Sequence, residues 1–339
     1  MGKAGKTIFA ALSAVALAAL MAFIWLFLAF RPAEFSDKNG TWVLVPGVGT
    51  FNTEDFYVMK YEAKCVDLSS GQIFAGNHLG IYDHSENPCV KGLGRMVKSV
   101  QPGHSIGYVS HNDAKEYCES MGAHLLTNEE FMSIARGVET VRENWSGGAE
   151  GKGLLYYGNS GAHMSALPGE YEVNEGEMAD SAEIISEDGR RWFALSSGAR
   201  IFDLAGNLWE HVARTSEDLS NFVDLPSCSD GAEEWGYCGY GETADSAVPY
   251  VANWTDDVSF SYIGPQSPLL TTESGAGEIY TFKSGGKKRY ASTFMRGGSF
   301  STPLGGIYSL SLKPESKGLG DYADVGFRCA KSSRFILPF

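Results

Sequence analysis

Between Thr7 and Phe30 the chain reads TIFAALSAVALAALMAFIWLFLAF, without one charged residue. A helix of about 20 apolar residues crosses a hydrocarbon core of about 30 Å, so a transmembrane helix is predicted over residues 7–30. A cleaved signal peptide has a shorter apolar region of about 7–15 residues and a small-x-small exit. Trp25, Phe27 and Phe30 crowd that exit, which favours an uncleaved signal anchor. Lys3 and Lys6 precede the run while Glu34 and Asp37 follow Arg31, so residues 1–6 are placed in the cytoplasm and the C-terminal part outside. Ala10, Ala14 and Ala18 leave small faces on this helix. Such faces permit packing against partner helices, as in a structural subunit of a surface assembly.

The chain carries 27 basic against 41 acidic residues, a net charge of −14, and the two lysines ahead of the anchor make the outer part more acidic still. That sign repels phosphate backbones and excludes nucleic acid as a partner class. All six cysteines (Cys65, Cys89, Cys118, Cys228, Cys238 and Cys329) lie beyond the anchor in an oxidising compartment. No C-x-x-C spacing occurs, so three disulfides are expected rather than a zinc site. Cys65–Cys89 and Cys228–Cys238 are the simplest local pairs, which leaves Cys118 and Cys329 to each other, although sequence alone keeps the pairing open.

Residues 31–40 form a polar linker. TWVLVPGVGTF and FYVMKYEAKC then alternate apolar and polar positions as half-buried strands do. Residues 71–99 read as loop. Ser110 with Asp113 starts a helix whose inward face carries Ala114, Tyr117, Cys118 and Met121, and which Gly122 ends. Thr127 with Glu130 starts a second, with Phe131, Ile134 and Ala135 buried and Gly137 as its left-handed stop. From Arg142 to about Ser197 the text is coil-rich, residues 214–290 read as an acidic insertion, and strand patterning returns at RYASTFMRGGSF and DVGFRCAK. Coil of that length needs disulfides or bound calcium to offset its conformational entropy.

Four segments in order, WVLVPGVGTF with FYVMKYEAKC, SHNDAKEYCESMGAHLLTNEEFMSIARG, DLAGNLWEH, and FMRGGSF with VGFRCA, resemble the formylglycine-generating enzyme or sulfatase-modifying factor family. The resemblance spans residues 41–331 and leaves 332–339 as a tail. It implies an α+β, coil-rich variant of the C-type lectin fold, and it pairs Cys118 with Cys329. In DLAGNLWEH it implies a structural calcium site at Asp203, Gly206, Leu208 and Glu210, with Asp203 standing where the family has asparagine. A second calcium site would fall between Gly147 and Ser197, with Asp188 as a candidate ligand.

The family's oxidation of a substrate cysteine uses copper held by two cysteines just after a glycine-glycine-serine turn. Here that turn is Gly297-Gly298-Ser299, no cysteine follows before Cys329, and the ligand positions fall near Thr302 and Ile307, neither a soft donor. Copper is therefore not expected, and no catalytic residue is assigned. The seven histidines (His78, His84, His104, His111, His124, His163 and His211) show no H-x-x-x-H or H-x-E-x-H cluster on a predicted helix, and no nucleophile elbow or phosphate loop occurs. The segment from Ser299 to Gly326 also resembles the variable segment of proteins diversified by retroelements. That resemblance implies an exposed surface for an extracellular protein or glycan, with contact residues Ser301, Thr302, Leu304, Ser309, Ser311, Lys313, Glu315, Asp321, Tyr322 and Asp324, and with Leu310 and Leu312 packed inward. The rival expectations are an oxidase using unfamiliar ligands and the structural subunit above.

Overall fold

Ser110 and Thr127 start two helices through their side chains. In the computed structural model, α1 (His111–Ser120) begins where Ser110 Oγ accepts the Asp113 amide at 3.1 Å. α2 (Asn128–Glu139) begins at a reciprocal box: Thr127 Oγ1 accepts the Glu130 amide at 3.1 Å, and the Glu130 carboxylate accepts the Thr127 amide at 3.0 Å. Each cap satisfies amides that the helix itself leaves open, an effect of about 1 kcal/mol. Ala114 and Cys118 are buried on α1, whereas Tyr117 and Met121 are only half-buried. α2 corrects the expectation for Gly137, which lies within the helix. Val138 is fully buried beyond it, and the Glu139 carboxylate accepts from the Tyr308 hydroxyl at 2.5 Å. These tertiary contacts outweigh the roughly 1 kcal/mol by which a mid-helix glycine trails alanine.

The structure describes residues 31–74, 87–89, 92–101, 103, 105–160, 190–213, 264–266, 270, 272–277, 279–280, 283–284, 287–288, 294–300, 302, 305–311 and 324–333. Ala33–Phe335 group as one compact unit, and the other unit, Met1–Pro32 with Ile336–Phe339, lies almost wholly outside the described residues. The expected transmembrane helix over 7–30 is therefore outside them too. Among the described residues no helix is long and apolar enough to cross a membrane.

An antiparallel sheet joins the two ends of the domain. Its order is β1 (Glu34–Asp37), β2 (Gly40–Val45), β3 (Phe56–Met59), β17 (Cys329–Ser332) and β7 (His124–Leu125), so the last strand lies between β3 and β7. A second, mixed sheet runs β11 (Ile279–Tyr280), β15 (Leu310–Ser311), β14 (Phe294–Arg296), β10 (Trp209–Val212) and β16 (Val325–Phe327), with β10 parallel to β16. Smaller pieces are β5 (Ile73–Phe74), β4 (Lys64–Asp67) and β6 (Arg95–Lys98) in one sheet, the pair β8 (Trp192–Ala194) and β9 (Arg200–Phe202), and the pair β12 (Lys283–Ser284) and β13 (Lys287–Lys288). Val43, Val58, Phe131, Ile134, Phe193, Ile201, Leu310 and Ala330 meet in one core, so β2, β3, α2, β8, β9, β15 and β17 share a single apolar interior.

Disulfides join Cys118 to Cys329 across a separation of 211 residues and Cys65 to Cys89 across 24. The expected Cys228–Cys238 pair lies outside the described residues, as do most of the 214–290 insertion and Asp188. The described residues agree with an α+β chain that is mostly sheet, with few helices and much coil.

Candidate functional site

DLAGNLWEH folds as a tight turn entering β10, and its backbone explains its glycine. Asp203, Gly206 and Asn207 all have positive φ, at 52°, 72° and 62°. A Cβ on Gly206 would lie 2.3 Å from the Asn159 carbonyl oxygen, so only glycine permits the approach of these two backbone segments. The Asn207 amide donates to the Asn159 carbonyl at 2.7 Å and locks the two together.

Beneath the turn lies a buried cluster of three acids and two arginines. Arg191 donates from Nε and Nη2 to both oxygens of Asp203, at 2.6 and 2.7 Å. Arg328 donates from Nε to Glu210 Oε1 at 2.5 Å, and from its other nitrogens to the carbonyls of Met59, Lys60, Phe202 and Asp203. Glu62 accepts the Asn207 side-chain amide and, at 3.2 Å, the Leu208 backbone amide. All five charged side chains are buried. The family resemblance points to Asp203 and Glu210 but not to Glu62, Arg191 and Arg328. The available signal was charge inside strand-like text, as in YEAKC, RRWFA and GFRCA, since buried charges are retained where they are paired.

Burial raises the Glu62 carboxyl to about 8, with repulsion from Asp203 adding to the rise and Arg328 opposing it. Burial likewise raises Glu210 to about 7, against the pull of Arg328. A carboxyl that titrates higher in the fold than in the unfolded chain binds more protons when folded, so its contribution is complete below its ordinary value near 4.5 and is lost as pH rises through the folded value. Metal-free protein, held in a chelator, is therefore expected to unfold at lower urea concentration at pH 9 than at pH 6. Glu62→Gln, which keeps an acceptor and removes the titration, should reduce that difference. Equal midpoints at the two pH values would show that the acids do not share the cluster in this way.

The segment after β14 departs from its expected exposure. Ser309 and Ser311 are corrected from outward-facing to buried, at 0 % and 4 % exposure, and Thr302 is buried at 3 %. Ser311 pairs with Met295 on one side and Tyr280 on the other, so the strand has neighbours along both edges. Ser309 Oγ accepts the Gly306 amide at 2.9 Å, and Thr302 Oγ1 accepts the Ser299 amide at 2.8 Å, which makes both hydroxyls parts of turns. Asp324 is half-buried and accepts from Ser299 Oγ at 2.9 Å. Leu310 packs inward as expected. Ser301, Leu304, Leu312, Lys313, Glu315, Asp321 and Tyr322 lie outside the described residues.

Residues 50–333 match the family described as the sulfatase-modifying factor enzyme 1-like domain, and the chain belongs to that family. No curated protein matches it. Among solved structures it is similar to the Major Tropism Determinant P3c variant, at 13 % identity and a TM-score of 0.32, over 89 % of this chain and 54 % of that one. This chain thus spans about half of that structure's length, and the likeness is too slight to bear on fold or function.

The two metals implied by the family fare differently against these residues. At the copper position Thr302 offers a hydroxyl already in a turn, and Ile307 is fully buried in the main apolar core. A Cβ on Gly298 would lie 3.1 Å from the Gly305 Cα, so the turn is closely packed as well. Copper(I) needs soft donors, and these residues do not fit it. At the calcium turn Asp203 is fully engaged by Arg191, whereas Glu210 Oε2 is buried without a hydrogen-bond partner. That oxygen is the one side-chain donor in DLAGNLWEH still open to a hard cation.

Proposed function

We propose that the chain is a membrane-anchored, extracytoplasmic member of its family that recognises a protein or glycan outside the cell and does not oxidise cysteine. The observation that supports this reading is that no cysteine occurs between Ser299 and Cys329, where the resemblance expects the copper-binding thiolates, while a buried hydroxyl at Thr302 and a core hydrocarbon at Ile307 lie in that stretch. On this reading the recognition surface is built from Ser301, Leu304, Lys313, Glu315, Asp321, Tyr322 and Asp324, with the buried Thr302, Ser309 and Ser311 shaping the turns beneath. Residues 7–30 hold the domain at the membrane with residues 1–6 in the cytoplasm. The surface segment is a candidate for retroelement diversification, and a template copy altered at adenines beside the gene would support that origin.

The test is turnover. The full-length chain, supplied with copper and oxygen, is expected to leave a cysteine-containing peptide unoxidised, with mass spectrometry as the readout. Oxygen-dependent conversion of the peptide thiol to an aldehyde would replace this reading with the oxidase one.

Calcium belongs to the same proposal as a structural ion, held by Glu210 Oε2 with the carbonyls of Gly206 and Leu208. It supplies positive charge to a cluster in which three carboxyl groups face two guanidinium groups, and it orders the turn. Calcium is expected to raise the thermal midpoint and a chelator to lower it. A midpoint that responds to neither would remove the ion from the proposal.

A further inference from the structure

His211 is buried, at 4 % exposure, on the face of β10 that α1 covers. Its Nε2 lies 2.9 Å from the Val109 carbonyl oxygen, and a carbonyl only accepts, so Nε2 carries the proton and Nδ1 presents a lone pair. That Nδ1 is buried without a hydrogen-bond partner. An imidazole fixed by donating one N–H to a backbone carbonyl while the other nitrogen keeps its lone pair is the arrangement found in metal-ligating histidines.

Two residues with soft donor atoms, His111 and Met295, lie beside His211. His111, the first residue of α1, sets its ring 5.7 Å from that of His211 at 87°, and it too is hydrogen-bonded to a backbone group, at Val212. Two imidazoles sharing one ion at about 2 Å each have centroids about 5–6 Å apart. Met295 on β14 is the direct antiparallel partner of His211, which puts the two side chains on one face with Cβ atoms about 5 Å apart. Met295 is itself buried, in a cluster with Trp209 and Val325, and so is shielded from solvent. Two imidazoles and a thioether select a soft monovalent ion over calcium or magnesium.

We propose that His211 Nδ1, His111 and Met295 form a binding site for a cuprous ion between α1 and the second sheet, separate from the Thr302 and Ile307 positions. His111 is half-buried and offers the way in from solvent. The site calls for no redox step, since the ion is bound as copper(I) and stays so.

The test uses the full-length chain with its disulfides intact, titrated with copper(I) in ascorbate against a chromogenic cuprous chelator. One equivalent is expected to resist the chelator, with X-ray absorption showing nitrogen and sulfur neighbours. Met295→Leu keeps the apolar volume and should fold; it is expected to weaken binding by about tenfold to a hundredfold and to lose the sulfur signal. His211→Gln should abolish retention, and His111→Gln repeats the test should His211→Gln fail to fold. Failure of the wild-type chain to compete with the chelator overturns the site, as does Met295→Leu holding copper as tightly as wild type. Thr302→Ala should leave retention unchanged, and a loss there would move the copper to the family position and overturn this site. Peptide turnover bears only on the proposed function, so the two readings fail separately.

Discussion

Replacing Arg328 with methionine is expected to destabilise the domain by about 3–5 kcal/mol, the range for breaking a buried ion pair by removing one partner. Arg328 is 0 % exposed, and its guanidinium reaches Glu210 together with carbonyls at the end of β3, at the end of β9 and in the following turn. Methionine fills much of the volume but leaves Glu210 with no cation and several carbonyls with no donor. The measurement is the urea midpoint of unfolding at constant slope. A loss below about 1 kcal/mol, the level of an exposed ion pair, would mean that water reaches the cluster. At pH 9, adding Glu210→Gln to Arg328→Met should recover part of the loss, because the carboxyl that must otherwise stay protonated or carry a stranded charge is then gone.

The second large effect is expected at the long disulfide. Cys118→Ala with Cys329→Ala should cost about 5 kcal/mol, because the bridge closes a loop of over 200 residues in the unfolded chain and removes much of its freedom. Opening Cys65–Cys89, with a separation of 24, should cost about 3 kcal/mol by the same reasoning. Calorimetry on the two double variants reads the difference directly. Equal losses would sink the loop-closure account and point to local packing around each bridge.

What could be read in the sequence was what is coded locally. Ser110 and Thr127 announce their helices because each cap lies within three residues of the amide it satisfies. Gly137 misled because the contacts that carry α2 past it come from Tyr308, far along the chain. Ser309 and Ser311 misled for a similar reason. A period of two assigns one face to solvent, but it does not show that a strand has neighbours on both edges and turns folded over it. In the buried cluster Asp203 and Glu210 were visible because they sit in one short motif, whereas Glu62, Arg191 and Arg328 come from three other segments and share no spacing. His111 and His211 were passed over on the same ground, since helical spacing was sought and the fold supplies the meeting instead.

The position of β17 bears on how the chain is made. The strand that completes the first sheet follows all its neighbours in chain order, and until it is translated β3 and β7 have no partner between them and Cys118 lacks its disulfide partner Cys329. Biosynthesis therefore leaves the sheet incomplete and Cys118 without its partner over the 211 residues that separate the two cysteines. Premature stop codons upstream of Val325 should yield aggregates or mixed disulfides rather than a shortened working domain.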